Sequence, residues 1–124
     1  MEVREVFKCD ICGNVVELLQ AGAPALVCCG EDMKKLEAQT EDSSVEKHVP
    51  VVEEVEEGIE VVVGSDLHPM EDDHLIRFIE VLTEDKVLRT ELNPGEDPKA
   101  VFNVDKEEVI EVREFCNLHG LWKA

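Results

Sequence analysis

Along this chain apolar residues recur in short alternating runs, not at the three-to-four spacing of an amphipathic helix. Residues 48–55, 59–63, 74–83, 86–92, 99–104 and 109–116 each read as a strand rich in Val and Ile. Glu57-Gly58, Glu84-Asp85, Asn93-Pro94-Gly95 and Asp105-Lys106 punctuate them with turn residues. No helix-period segment of useful length is present. Short strands at this spacing predict an all-β fold, an antiparallel sandwich of about seven strands, immunoglobulin-like in outline. Residues 75–82 are apolar on both faces in places, as a central strand or a subunit contact would be.

The first 37 residues have a different texture. Strands are expected at 3–8, 15–19 and 25–27, separated by Gly13, Gly22, Pro24 and Gly30. Fewer than ~40 residues rarely bury enough surface to fold alone, so metal, partner or both must stabilise this module. Residues 38–45 are polar and short of apolar anchors, which fits a linker. The expected organisation is a small β-rich module at 1–37 and a sandwich at 38–124.

Composition narrows the function classes. At 124 residues and 44% hydrophobic the chain can build a packed core even with 34% charged residues. A net charge of −18 argues against nucleic acid, which needs clustered Lys and Arg. It argues equally against anionic membrane surfaces. Met1-Glu2-Val3-Arg4 lacks the apolar region of a signal peptide, and no run approaches the ~18 apolar residues of a membrane span. A cytoplasmic location is expected, where clustered cysteines bind metal more often than they form disulfides.

The cysteines fall into two places. Cys9-Asp10-Ile11-Cys12 is a turn-borne CxxC that lets two thiolates reach one ion, and Cys28-Cys29 completes a set of four. Four thiolates in a tetrahedron suit zinc or iron, and a structural zinc knuckle is the plain alternative. The adjacent pair is unusual. Neighbouring strand side chains point to opposite faces, so the backbone must bend there, and Gly30 is placed to help.

The fifth cysteine, Cys116, stands three residues before His119 in Cys116-Asn117-Leu118-His119-Gly120. The other histidines are His48, His68 and His74, each at the start of a strand candidate or in a loop. A lone histidine in a β-protein is usually a hydrogen-bonded surface or core residue. Here four histidines and one thiolate account for every His and Cys outside the N-terminal set. Nitrogen-rich ligation with one soft sulfur suits iron or copper more than magnesium or calcium. Five protein ligands leave a sixth octahedral position open, whereas structural zinc closes at four. The short tether to Cys116 suggests that His119 binds through Nδ1 and the other three through Nε2.

Taken together, Cys9-x-x-Cys12, Cys28-Cys29, Glu46-Lys47-His48-Val49-Pro50, His68-Pro69-Met70, His74 and Cys116-Asn117-Leu118-His119-Gly120 with Trp122-Lys123 resemble the superoxide reductases of the desulfoferrodoxin, or two-iron, type over essentially the full length. The resemblance implies a desulforedoxin-like Fe(SCys)4 centre in the N-terminal module. It also implies a second iron with four equatorial histidines, axial Cys116 and a vacant face. Such proteins often carry Tyr and Trp shortly after the ligand matching His74; here Leu75 and Phe78 stand there and the chain has no Tyr.

The activity implied is one-electron reduction of superoxide to hydrogen peroxide. Ferrous iron, four neutral imidazoles and one thiolate sum to a charge of +1, and Lys47 adds another beside His48. Close charges outweigh the distant acidic surface beyond the ~8–10 Å screening length, so Lys47 is expected to attract the anion. The resemblance gives Glu46 the role of closing the sixth position of ferric iron, and it implies homodimers. Rubredoxin or a comparable small carrier is the expected electron donor. Two other readings stand beside this one: a superoxide dismutase, and a non-enzymatic electron-transfer or zinc-binding module.

Overall fold

The computed structural model describes residues 1–22, 24–41 and 47–124. They divide into two compact units, Met1–Glu37 and Ala38–Ala124.

In the first unit, β1 (Val6–Lys8) is flanked by β2 (Val15–Glu17) and β5 (Lys34–Lys35) in a three-stranded antiparallel sheet, and β3 (Val27–Cys28) pairs with β4 (Glu31–Asp32). The strand expected from residue 3 begins only at Val6, because Arg4 turns with φ 77° and the extended path starts after it. The strand expected at 25–27 lies one or two residues later, where it finds its partner at Glu31–Asp32. Val6, Phe7, Cys9 and Leu18 are the buried apolar side chains here.

The second unit is a sandwich of seven strands. One sheet has the order β10-β7-β6, built from β6 (Pro50–Val55), β7 (Gly58–Val63) and β10 (Lys99–Phe102). The other has the order β12-β11-β8-β9, from β8 (Ile76–Leu82), β9 (Val87–Glu91), β11 (Glu111–Cys116) and β12 (Gly120–Lys123). All these pairings are antiparallel. A short 3-10 turn at Lys106–Glu108 precedes β11.

Alternation explains which residues meet between the sheets. In β7, Ile59, Val61 and Val63 are fully buried while their neighbours are half-buried. They join Ile76, Ile79 and Val81 of β8, Ala100 and Phe102 of β10, and Val112 and Cys116 of β11 in one core. Each fully buried Ile or Val contributes ~1.5–3 kcal/mol, which makes this core the main favourable term in the folding of the unit. Gly58 closes the β6–β7 hairpin at φ 144°, where a Cβ would run into the Phe102 carbonyl.

Two features escape the hydrophobic pattern. β12 is a full strand, paired through Cys116↔Gly120 to Arg113↔Lys123. And Gln39, in the stretch that reads as a linker, forms a parallel bridge to Trp122, with Gln39 N–H donating to the Leu121 carbonyl at 2.9 Å. The rest of that stretch, 42–45, lies outside the described residues.

Candidate metal centres

In the first unit the chain makes a knuckle. Gly13 N–H donates to the Cys9 carbonyl and Cys9 N–H to the Asn14 carbonyl, both at 2.9 Å, with Gly13 at φ 82°. Opposite it, the β3–β4 hairpin turns on two residues, Cys29 at φ 53° and Gly30 at φ 77°. Positive φ at both central positions is what a type I′ hairpin requires. The bend that brings adjacent cysteines to one place therefore falls on Cys29 as well as Gly30.

The four sulfurs of Cys9, Cys12, Cys28 and Cys29 lie within 4.8 Å of one another, Cys12 to Cys28 at 3.5 Å and Cys28 to Cys29 at 3.9 Å. None is in a disulfide. Backbone N–H groups of Cys12 and then Ile11 lower the Cys9 thiol to about 7. Cys29 is pushed up to about 12, chiefly by its hydrogen bond with Cys12 and then by Cys28 and Cys9. A cation would bind such crowded sulfurs as thiolates and displace their protons to water, which is the chemistry of a thiolate metal site.

The second unit gathers His48, His68, His74, His119 and Cys116, whose donor atoms also lie within 4.8 Å of one another. His48 and His74 each sit two residues ahead of a strand, β6 and β8, while Cys116 ends β11 and His119 lies in the β11–β12 turn. His68 is held by its N–H donating to the Val63 carbonyl at 2.9 Å. The imidazoles follow one another in a closed order. Ring centroids are 4.7 Å apart for His48–His68, 4.8 Å for His68–His74, 5.2 Å for His74–His119 and 4.9 Å for His48–His119, all edge-on.

His48 Nε2 approaches His68 Nε2 and His119 Nδ1 at 3.1 Å each. Cys116 Sγ is fully buried, 3.6 Å from His68 Nε2 and 3.7 Å from His119 Nδ1. His74 Nε2 is buried with no hydrogen-bond partner among the described residues. The His68 Nδ1 hydrogen donates to the Pro69 carbonyl at 2.7 Å, which leaves Nε2 as a lone-pair donor. Nitrogen donors converging on one point, one of them orphaned, with a buried sulfur among them, fit a metal ion better than any hydrogen-bond network.

Supporting residues surround this ring. Trp122 stacks on His48 with centroids 4.6 Å apart and planes at 12°, and its indole N–H donates to the His119 carbonyl at 3.2 Å. Gln39 Nε2 donates to the same carbonyl at 2.8 Å. Gly64 lies against the backbone of Lys47, so that a Cβ there would sit 2.8 Å from the Lys47 carbonyl oxygen. Of Trp122, Gln39 and Gly64, only Trp122 stands in a sequence motif. Lys47 is half-buried beside His48, and Glu46 lies outside the described residues.

An all-β chain with a four-thiolate knuckle and a four-histidine, one-cysteine ring defines a two-centre non-haem metalloprotein. Residues 40–124 match the Desulfoferrodoxin family and residues 1–36 match the Desulfoferrodoxin N-terminal domain. The chain belongs to the desulfoferrodoxin family. It is 48% identical to a desulfoferrodoxin of Desulfarculus baarsii over 97% of this chain and 94% of that one. A desulfoferrodoxin homolog of Methanothermobacter thermautotrophicus is 50% identical over 98% of each chain. The crystal structure of the superoxide reductase from Treponema pallidum superposes with a TM-score of 0.79 at 30% identity, covering 97% of this chain and 96% of the other.

Proposed function

We infer that the protein is a superoxide reductase, which takes one electron from a donor and two protons to turn superoxide into hydrogen peroxide. The observation that carries this is the closed ring of four imidazoles with a buried sulfur, in a chain of this family. We assign His48, His68, His74, His119 and Cys116 as ligands of the catalytic iron, and Cys9, Cys12, Cys28 and Cys29 as ligands of the second. Iron held by the four histidines and Cys116 would supply the electron for the anion.

The chain's own groups do the rest. The thiolate of Cys116, buried and shielded from water, keeps its electron density directed at the metal. The Lys47 ammonium, one residue from His48, draws in the anion against the acidic surface and supplies or orders a proton. Glu46, next to Lys47 in the sequence, is given by the family resemblance the role of a carboxylate ligand to the iron after turnover.

The decisive assay follows superoxide pulses with and without reductant. Peroxide formed in step with donor oxidised, without oxygen, is the expected result; oxygen evolved with no reductant would make the protein a dismutase instead. Lys47→Ala should slow capture by about tenfold and flatten its dependence on salt. An unchanged capture rate would remove Lys47 from the steering role.

Three further assignments rest on lighter support. A homodimer is favoured by exposed Val16, Leu19 and Val27 in the first unit, and sedimentation at the mass of one 13.9 kDa chain would exclude it. Rubredoxin is the electron donor we favour; the reading fails if it does not reduce the protein faster than background. No helix among the described residues is long and apolar enough to cross a membrane. We place the protein in the cytoplasm, to be checked by cell fractionation.

A further inference from the structure

We propose that Asn117 is a positioning residue that fixes His74 in the imidazole ring, an inference that rests on the reading of that ring as a metal site. The ladder between β11 and β8 does not reach His74. Its register shifts between Phe115 and Cys116, so that Cys116 faces Ile76, and the last backbone hydrogen bond is Asn117 N–H to the Leu75 carbonyl at 3.2 Å. One residue further on, the backbone of His74 pairs with Glu71 alone, in an isolated bridge of two hydrogen bonds at 2.9 and 3.3 Å.

The Asn117 carboxamide takes over on the opposite side. Its Oδ1 accepts from Leu75 N–H at 2.9 Å and its Nδ2 donates to the Asp73 carbonyl at 3.0 Å. In an extended chain the N–H and C=O of one residue point one way, and those of its neighbours point the other. His74 is thus gripped on one edge by the Glu71 backbone and on the other by a side-chain amide that copies a missing strand residue. Because one partner can only donate and the other only accept, the orientation of the amide is fixed.

Asparagine is the side chain this place calls for. Alanine removes both bonds, and aspartate keeps the acceptor for Leu75 but turns a second oxygen toward the Asp73 carbonyl. Asn117 also follows Cys116 directly and precedes His119 by two residues. The clamp therefore ties His74 to the loop carrying two other ligands, across 42 and 44 residues of sequence.

The test is a cobalt(II) titration of the apoprotein, read by quenching of the single tryptophan, which stacks on His48. Asn117→Ala should weaken binding about 10–100-fold, the range typical of groups that orient metal ligands. In a His74→Ala background the same substitution should change affinity by less than about twofold, because the clamp then has no ligand to hold. Unchanged affinity in Asn117→Ala, or the full loss persisting without His74, overturns the proposal. If Asn117→Ala does not fold, Asn117→Asp should show a smaller loss with the same dependence on His74, and its absence overturns the proposal equally. Should His74→Ala itself leave cobalt affinity intact, the ring is not a metal site and both readings fall.

Discussion

The two halves of this protein solve the same problem in opposite directions. In the first unit the donors come from two local turns, Cys9–Cys12 and Cys28–Cys29, and few apolar side chains stand behind them. In the second the donors span 71 residues, from His48 to His119, and a two-sheet core lies under them. Where the ligands are local the metal organises the chain; where they are distant the chain organises the metal site. Burial decides which, because only the sandwich removes enough apolar surface from water to offset the entropy of ordering its backbone.

The largest consequence concerns metal removal. Structural metal binding in small thiolate modules amounts to on the order of 10 kcal/mol, which is the folding free energy of the module itself. Chelation should therefore unfold residues 1–37 while the sandwich keeps its ladder. Amide exchange would read this directly. Protection at Val6 and Phe7 should vanish in the apoprotein, while Ile59, Val61 and Ile79 stay protected. Apoprotein with protected Val6 and Phe7 would show that the first unit stands without metal, and the contrast between the halves would be lost.

That contrast also explains what could be read from the chain. Strand 59–63 was legible because strict alternation survives in the fold, as in the buried Ile59, Val61 and Val63, and 74–83 because its mostly apolar run is buried on both faces from Ile79 to Leu82. The two clusters of Cys and His side chains were legible because Cys and His are scarce and their motifs specific. β5, only Lys34–Lys35, was not legible, since two lysines at a sheet edge carry no apolar signal. Gln39 and Asn117 escaped because their partners are backbone groups 42 to 82 residues away, which no local pattern encodes. Glu80, Arg113 and Glu114 escaped for a different reason. A single charge inside an apolar strand reads as a solvent-facing position, yet all three are buried.

The buried charges show how far the sandwich depends on its own contacts, and they set a smaller effect beside the loss of metal. Glu80 on β8 stands directly opposite Arg113 on β11 and Arg89 on β9. Arg113 Nε donates to Glu80 Oε1 at 2.7 Å, and Arg89 Nη1 to Oε2 at 3.1 Å. Arg113 is nearly covered, so Glu80→Ala takes a 2.7 Å carboxylate contact from a guanidinium in the interior. Such a loss costs about 3–5 kcal/mol. Arg89 is 43% exposed at its side chain, so its pair with Glu80 is largely solvated, and Arg89→Ala, which leaves Glu80 its bond from Arg113, should cost no more than about 1 kcal/mol. Urea unfolding of the sandwich should rank the variants Glu80→Ala well below Arg89→Ala, with Arg89→Ala close to the unmodified protein. Equal losses would mean that the Glu80–Arg113 pair, between the two central strands of its sheet, is as well solvated as its neighbour.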